Sequence, residues 1–358
     1  MKKNKGILSK LIIIFVVLFK FLLNYQISET FLMKLLPVVT VLCILGIIIK
    51  NKFTKSQILR TFFITIPLLI ISLIIKSPNF LFPVLIAIVS LDTDFKIIAK
   101  TFGYSILFFT IITILLNRLN ILPSNDILRY IDGIYKTRYS LGFIHPNALM
   151  GAIVCAIFCF IYAYDFPKKF NIIFLILGSV FYYVTYSRTS FIMLLIVYIL
   201  YVVKKKFPKY NFKIAAYFDV ICFFILVFSA VLYSKCDIEA LDLLFSNRLS
   251  INYLFMKNGY LFEFLPNMNL LENAVIDSYH FNIIIRFGFV GFILYMLYNI
   301  KTFKLLSADK NIMIICIAFA IAGLTEDIAM ISSFNVIMTF QMIAYINSNR
   351  FLMTGDEI

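Results

Sequence analysis

Charged residues are scarce in this sequence. Only 14% of the 358 residues are Asp, Glu, Lys or Arg, whereas 62% are hydrophobic and the mean hydropathy is +0.96. Soluble domains are about one-quarter charged and about half apolar, so this composition excludes an ordinary soluble domain. Runs of Ile, Leu and Phe recur along the whole length, which indicates many membrane spans and not one anchor. The first run lacks a small-residue cleavage site, so we expect no removable signal peptide.

Paired cysteine patterns and nucleotide-binding motifs are also missing. Five of the six Cys lie inside apolar runs, which favours small core residues over a disulfide framework or a zinc site. Neither G-x-x-x-x-G-K-S/T nor G-x-G-x-x-G occurs, which argues against an ATP-driven pump or a cytosolic nucleotide-sugar site. The net charge of +15 arises from Lys between apolar runs, where Lys acts as an orientation signal. We therefore expect no nucleic-acid partner, no metal and no cofactor.

The apolar runs predict an all-α polytopic membrane protein with about twelve spans, forming a single membrane domain over residues 1–358. The fourth predicted span is short and contains Pro83, so it either crosses or re-enters the bilayer. The predicted spans are residues 10–28, 31–49, 58–75, 78–91, 98–116, 144–164, 171–186, 189–203, 214–234, 278–299, 311–327 and 331–347.

The distribution of basic residues predicts that both termini face the cytosol. In this register 21 of the 33 Lys and Arg fall on the cytosolic side and ten on the outer side, as the positive-inside rule requires. Two longer segments, about 117–143 and about 235–277, then lie on the outer side. Any chemistry is expected to face outward, because the cytosolic connections are short.

Arginine is distributed differently from lysine. The chain has 25 Lys and 8 Arg, yet six Arg fall on the predicted outer side. A guanidinium binds phosphate oxygens bidentately, which an ammonium does not, so the pattern favours an outward-facing site for a phosphorylated, membrane-borne ligand. The alternative is pairing with outer carboxylates. The six are Arg118, Arg129, Arg138, Arg188, Arg248 and Arg286.

Two of these arginines occupy unusual positions. Arg188 lies with Ser187 in a tight turn between two apolar runs, where it either binds a ligand or snorkels and caps helix ends. Arg286 lies two turns into the tenth predicted span and needs a partner or a wet cavity. Lys20, in the first span, is expected to snorkel.

Both histidines of the chain lie where a predicted span begins on the outer side. Asn147 follows Pro146 and is positioned to cap the sixth span, which leaves His145 as a structural hydrogen-bond donor or a ligand. Asp277 and His280 are three residues apart and share a face if the helix begins that early. A carboxylate beside a histidine raises its basicity and fixes its orientation.

Several of these stretches resemble bacterial O-antigen and capsule polymerases of the Wzy type. Leu141-Gly-Phe-Ile-His-Pro-Asn147 resembles their Gly-Phe-x-His-Pro-Asn stretch, and Thr185-Tyr-Ser-Arg-Thr-Ser190 is similar to the Ser-Arg hairpin that they share with O-antigen ligases. Ser246-Asn-Arg248 resembles a Ser-Gly-Arg element, with Asn247 replacing Gly.

The resemblance continues toward the C-terminus. Ile276-Asp-Ser-Tyr279, followed by Gly288-Phe-Val-Gly291, resembles an Asp-Asn-x-Tyr and Gly-x-x-Gly helix, with Ser278 replacing Asn. Thr325-Glu326 resembles a Thr-Glu pair near the penultimate span of that family. Each piece is short, but together they cover about residues 138–327 in the family's order.

The resemblance implies a GT-C-like, metal-independent glycosyltransferase in the bacterial cytoplasmic membrane. It would join undecaprenyl-diphosphate-linked oligosaccharide repeats into capsular, exo- or O-antigen polysaccharide, with membrane lipid, a flippase and a chain-length regulator as partners. Arg188 and Arg248 would neutralise the departing diphosphate, and His280 would be the general base. Phe281 follows this His, where the ligases usually have Asn, Ser or Gln. Asp277, Glu272 and Glu326 therefore stay open as the base.

Further side chains are expected to bind the substrate, and two other functions remain as alternatives. One is ligase-like transfer of the glycan to another acceptor, which the sequence hardly separates from polymerisation. The other is a flippase for the same lipid-linked repeat, which would need ionisable residues along a central path. The predicted substrate-binding residues are Arg138, His145, Asn147, Ser187, Glu272, Asp277, Tyr279, Arg286 and Glu326.

The predicted topology can be tested with reporter fusions. Fusions after Lys206 and Lys304 should report the cytosol, and fusions near Pro123 and Asn258 should report the outside. A cytosolic signal at Asn258 would contradict the outward-facing site, because its residues would then lie on different faces of the membrane.

Overall fold

The protein is α-helical, with one small β-hairpin. A computed structural model describes residues 5–24, 53–75, 80–131, 134–165, 168–208, 212–235, 242, 248–267, 270, 277–327, 331 and 334–349. The helices are α1 Lys5–Asn24, α2 Lys55–Ile74, α3 Leu81–Ser90, α4 Phe95–Arg118, α5 Pro146–Ala163, α6 Lys168–Thr185, α7 Arg188–Lys206, α8 Phe218–Lys235, α9 Arg248–Lys257, α10 Tyr279–Leu306, α11 Lys310–Ala322 and α12 Val336–Ile346. The strands are β1 Ile127–Ile131 and β2 Ile134–Arg138, and short 3-10 turns cover Phe212–Tyr217 and Tyr260–Phe262.

The helices confirm the coarse prediction of an α-helical membrane protein. Among the described residues, five segments are long and apolar enough to cross a membrane: α2, α4, α5, Lys213–Lys235 (which contains α8) and α10. Every helix except α9 overlaps a predicted span. The predicted span 31–49 lies outside the described residues, and α9 lies in the predicted outer segment 235–277.

Helix α5 is the centre of the bundle, because nearly all of its residues are buried. It packs closely on α4 and also contacts α6, α7 and α11. Helix α2, by contrast, is mostly exposed. An apolar helix buried on all sides is typical of a bundle interior, and an exposed apolar helix is typical of a lipid-facing position. The four described cysteines are free and buried, as expected of core residues: Cys155, Cys159, Cys222 and Cys316.

Polar side chains collect at two opposite ends of the bundle. At one end Lys96 Nζ lies 2.5 Å from Asp165 Oδ2, and Lys204 Nζ donates to Asn311 Oδ1 at 2.6 Å. These residues were all predicted to face the cytosol. Residues predicted to face outward, including Arg138, meet one another at the other end and form the site described below.

Helix α10 is not the single continuous span predicted over 278–299. Its backbone breaks at Gly288, where φ is +71° and ψ is 171°, a conformation that essentially only Gly adopts. If α10 were straight, residues 280 and 299 would lie about 28 Å apart at 1.5 Å per residue. Instead His280 and Asn299 both contact Asp219. The half-helix 279–287 therefore folds back along the second half.

An irregular segment, residues 263–267, packs against the break. Asn267 N donates to Ile285 O at 3.0 Å, and Phe289 N donates to Glu263 O at 2.7 Å. A Cβ at position 288 would lie only 2.1 Å from Phe264 O. The sequence does not reveal this break, because a single Gly is tolerated inside a helical pattern and only the partner backbone forces the turn.

The break predicts different costs for two glycine substitutions. Gly288→Ala should lower the free energy of unfolding by about 3 kcal/mol or more, since both the backbone conformation and the Phe264 contact oppose a Cβ. Gly259 also has a positive φ, of +75°, but no atom of the described residues lies within 4 Å of a Cβ built there. Gly259→Ala should therefore cost only about 1–2 kcal/mol.

Thermal unfolding of both variants in detergent would measure the difference. Equal stabilities would contradict the close packing of residues 263–267 on the break.

Candidate functional site

Five polar side chains form one hydrogen-bonded chain at the predicted outer end. Arg138 Nη2 donates to Asn147 Oδ1, and Asn147 Nδ2 donates to Glu326 Oε1 at 3.0 Å. Arg248 Nη2 donates to the same Glu326 oxygen at 2.9 Å, while Arg248 Nε lies 3.3 Å from Asp277 Oδ2. The structure thus brings together five of the predicted site residues, from β2, α5, α9 and the segments after α11 and before α10. We call these five side chains the arginine–carboxylate cluster.

Arg248 is held in place from several directions. It is the first residue of α9, whose N-terminus is capped by Asp242: the carboxylate accepts from Leu249 N at 2.8 Å and from Ser250 N at 3.3 Å. The side chain is 16% exposed and touches two carboxylates. Within the described residues its Nε and Nη2 contact carboxylates and no hydrogen bond engages its Nη1, so N–H groups remain for a ligand.

Arg138 is buried and joins the β-hairpin to the corner between α6 and α7. Its Nε donates to Thr185 O at 2.7 Å, and the next residue, Tyr139, donates its N–H to Val184 O at 3.0 Å. Burial lowers the pKa of Arg138, and the neighbouring Arg129 adds to this effect, while Glu326 opposes it. Arg138 therefore organises the site from behind and has little surface for a ligand.

The corner between α6 and α7 is the tight hairpin that the sequence predicts. Helix α6 ends at Thr185 and α7 begins at Arg188. Tyr186 between them has a φ of +47°, in the left-handed region that bulky residues rarely adopt. Ser187 is buried at the N-cap, with its Oγ 3.4 Å from Ser190 Oγ.

Arg188 projects from this corner and is exposed. Within the described part of the chain no hydrogen bond or ion pair engages it, yet it is close enough to depress the pKa of Arg138 electrostatically. The corner also contacts the cluster directly, because Thr189 Oγ1 lies 3.3 Å from Thr325 Oγ1, beside Glu326. Arg188 thus supplies an unengaged guanidinium next to the cluster.

His145, and not Asn147, caps α5. Its Nδ1 accepts from Asn147 N at 3.0 Å, so in the neutral imidazole Nε2 carries the hydrogen and is a donor. The predicted cap was wrong because Asn147 lies inside the first turn, where its side chain bridges Arg138 and Glu326. Burial, together with Arg138 and Arg248, lowers the pKa of His145, which keeps it neutral at physiological pH.

The cluster is electrically balanced when all of its groups are ionised, because Arg138 and Arg248 match the carboxylates of Asp277 and Glu326. Arg188, beside the cluster, adds a further positive charge. Burial raises the pKa of Glu326, although Arg248 opposes this shift. Any protonation of Glu326 makes the site more positive still, which suits an anionic ligand.

His280 lies away from the cluster, in the bundle interior. It has no exposed surface, its Nε2 is 3.6 Å from Asp219 Oδ1, and neither ring nitrogen has a hydrogen bond within the described residues. The expected shared face with Asp277 is not formed, because α10 begins only at Tyr279 and Asp277 turns to Arg248. In this arrangement the imidazole does not reach the cluster.

Tyr279 was also expected at the site and is instead buried beside His280. Its hydroxyl bonds to that of Tyr295, and its N–H donates to Gly323 O at 3.0 Å. The same buried region contains a polar network in which Asn299 Nδ2 donates to Asp219 Oδ2 at 2.8 Å and Gln341 Nε2 donates to Asn299 Oδ1 at 3.0 Å. The back-folded half-helix brings these groups together.

Arg286 forms a separate charged group on the back-folded half-helix. Its Nε donates to Asn282 Oδ1, one turn earlier. Asp327 interacts electrostatically with both Lys20 and Arg286. The snorkelling of Lys20 stays a prediction. Glu272 lies outside the described residues.

Two residues important for this arrangement were missed. Asp219 is a lone carboxylate inside the predicted ninth span, and a charge within a span is itself a signal of function. Thr185 contributes only its backbone carbonyl to Arg138, for which the sequence carries no signal.

Comparisons with known proteins do not assign the chain to a family. No protein-family model, curated protein or solved structure matches the chain. Among the described residues, no group of three His, Cys, Asp or Glu could hold a metal ion. The function must therefore be argued from the cluster itself.

Proposed function

We propose that the protein is a polymerase that joins undecaprenyl-diphosphate-linked oligosaccharide repeats at the outer face of the bacterial cytoplasmic membrane. In this proposal the chain has about twelve spans and both termini are cytosolic. The observation that carries the proposal is the arginine–carboxylate cluster at one end of an apolar helical bundle, with the free Arg188 beside it. A lipid-linked diphosphate matches both features of this site. Its long apolar chain suits the apolar bundle, and its compact diphosphate anion suits the arginines.

The diphosphate would be bound by Arg248 and Arg188, with His145 Nε2–H as a neutral donor. Glu326 and Asp277 hold the Arg248 guanidinium in one orientation, so its remaining N–H groups are preorganised. Donors fixed before the reaction stabilise the charge that develops on the leaving group without reorganising. Arg138, already engaged with Thr185 and Asn147, would position these groups and not bind the ligand itself.

The reaction would be a displacement at the anomeric carbon of the donor sugar. A hydroxyl oxygen of the acceptor glycan forms the new C–O bond, and the bond from the anomeric carbon to the diphosphate oxygen breaks with its electron pair. The undecaprenyl diphosphate leaves, and the hydroxyl proton passes to a general base. Guanidinium groups neutralise the leaving diphosphate, so the chemistry needs no metal ion.

We assign the base to Asp277, one of the residues that the sequence left open. Its side chain is 42% exposed, the most of any carboxylate in the cluster, and it lies next to Arg248. Glu326 is less suited, because a single oxygen already accepts from both Asn147 and Arg248 and the side chain is 13% exposed. A ligase-like transfer to another acceptor would use the same groups.

A flippase for the same lipid-linked repeat is the second candidate, and the buried Asp219–His280 pair favours it. Ionisable groups inside a span often mark a transport or proton pathway. Asp219, however, is already bonded to Asn299, and neither Asp219 nor His280 has appreciable exposed surface. A hydrophilic glycan needs a wide polar path, so the arginine–carboxylate cluster supports the polymerase better.

The role of the two arginines can be tested by substitution. Arg188→Ala and Arg248→Ala should each lower the rate of polymerisation by about a hundredfold or more. The loss of one preorganised hydrogen-bond donor has an effect of this size in other enzymes. Arg188→Lys and Arg248→Lys should restore little, because Lys keeps the charge but not the planar fork. The measurement is turnover of purified lipid-linked repeats in liposomes, with protein level as a check on folding.

Arg118 is the matched control, since it is an exposed arginine at the predicted outer end of α4, apart from the cluster. Arg118→Ala should leave turnover unchanged. Full activity of both Lys variants would show that charge alone is needed and would contradict bidentate binding of the diphosphate.

The general base can be tested with two further variants. Asp277→Asn keeps a hydrogen-bond acceptor for Arg248 but loses the proton acceptor, so turnover should fall about a hundred- to ten-thousand-fold. Binding of the lipid-linked donor, measured separately, should change little. His280→Gln should retain turnover wherever the protein folds, because the imidazole is buried. An active Asp277→Asn with an inactive but folded His280→Gln would return the base to His280, as the family resemblance implies.

A further inference from the structure

The β-hairpin has one face on the protein and one face that no described residue covers. The antiparallel register pairs Leu128 with Thr137 and Tyr130 with Tyr135, so these four side chains share a face. We call them the outer face of the hairpin. Leu128 is 70% exposed, Tyr130 62% and Tyr135 76%. The outer face is therefore an open, largely apolar surface.

Away from the turn, the opposite face of the hairpin is attached to the bundle. Arg138 is buried against Thr185 O, as described above, and Lys136 Nζ lies 5.3 Å from the centre of the Tyr186 ring. Ile127 and Arg129, on the same face, are half-buried. The cationic side chains of both strands thus point toward the α6–α7 corner, which leaves the outer face uncharged.

The hairpin follows directly from a lipid-facing stripe of α4. Large exposed side chains recur along this helix at helical spacing and continue just past its end, at Tyr104, Phe108, Ile111, Leu115, Leu119 and Ile121. With 24 residues α4 is about 36 Å long, so it crosses a hydrocarbon core of about 30 Å and ends near the headgroups. The hairpin therefore begins at the depth of the membrane interface.

A second lipid-facing stripe reaches the hairpin from α6. The exposed side chains Ile172, Ile176 and Val180 lead to Tyr183, which is 73% exposed in the last turn. The hairpin is tied to this turn by the hydrogen bond from Tyr139 N to Val184 O. Tyrosines at the ends of lipid-facing helices are typical of the aromatic belt at a membrane–water interface.

We propose that the outer face of the hairpin lies on the lipid bilayer, at the boundary between headgroups and acyl chains. Leu128 would contact acyl chains, while Tyr130 and Tyr135 would place their rings in the boundary and their hydroxyls among headgroups. A bound glycan fits this face less well, because the Tyr130 and Tyr135 rings meet edge to face at 62° and form no continuous platform on which several sugar rings could stack. The inference does not depend on the proposed enzymatic function.

Contact with the bilayer would also fix the depth of the arginine–carboxylate cluster. Arg138 is the last residue of β2 and the first link of that cluster. A hairpin held in the headgroup region therefore keeps the guanidinium groups at the level where lipid phosphates lie.

The absence of tryptophan from the chain permits a direct test. Tyr135→Trp places a single fluorophore on the outer face at an exposed position, where the substitution should not disturb folding. The full chain would be reconstituted in phosphatidylcholine vesicles whose acyl chains are brominated near the headgroup, and in matched unbrominated vesicles. Iodide added to the water would report exposure to solvent.

Two further variants calibrate the signal. In Phe108→Trp the tryptophan lies on the exposed stripe of α4, and the brominated lipid should quench its fluorescence. In Ile127→Trp the tryptophan lies on the attached face of the β-hairpin, and its fluorescence should be quenched much less. We expect Tyr135→Trp to lose fluorescence to the brominated lipid to an extent comparable with Phe108→Trp, with little quenching by iodide.

Other outcomes would overturn the inference. Strong iodide quenching without lipid quenching would show that the face lies in water, where a glycan or another protein could reach it. Protection from both quenchers, together with cross-linking between Cys placed at position 135 in two chains, would show that a second copy covers the face.

Discussion

Hydrocarbon surroundings give backbone N–H and C=O groups no water to bond, and this constraint shapes the whole protein. Helices satisfy these groups internally, which explains why most of the described chain is helical. Where the helical ladder is interrupted, other protein groups must replace it. At the break in α10, Asn267 and Phe289 supply such bonds through the segment 263–267. The break is therefore stable only because this segment packs against it.

The same constraint applies to charge. A buried ion without partners is costly, so each charged group inside the bundle is engaged by others. Arg138 donates to Thr185 O and Asn147, Asp219 accepts from Asn299 and approaches His280, and Arg248 contacts two carboxylates. These contacts join helices that are distant in sequence. Polar groups thus define how the apolar helices are arranged, while apolar packing supplies most of the contact area.

Within the arginine–carboxylate cluster, support and ligand binding are separated between similar side chains. Arg138 is buried and bonded to Thr185 O and Asn147, Arg248 is oriented by two carboxylates and is partly exposed, and Arg188 is exposed. Arg138 thus supports the site, while Arg248 and Arg188 are accessible to a ligand. Preorganised electrostatic stabilisation requires donors that are both fixed and accessible. The hairpin carries Arg138 at its base, so its contact with the bilayer and the position of the cluster are mechanically linked.

Composition and hydrophobic runs were sufficient to predict an α-helical membrane protein and the approximate position of each described helix except α9, because the cost of exposing the backbone to lipid leaves little choice. Arg188 and Arg248 also indicated the candidate site, since arginine on the predicted outer side is unusual. The family resemblance indicated His145, Asn147 and Glu326. Only the tertiary structure decided that α10 turns back at Gly288, that Asp277 pairs with Arg248, and that His280 faces Asp219. Those outcomes depend on backbone and side chains that meet across long sequence separations. Local spacing and hydropathy do not predict these long-range contacts, because each contact depends on the packing of the whole bundle.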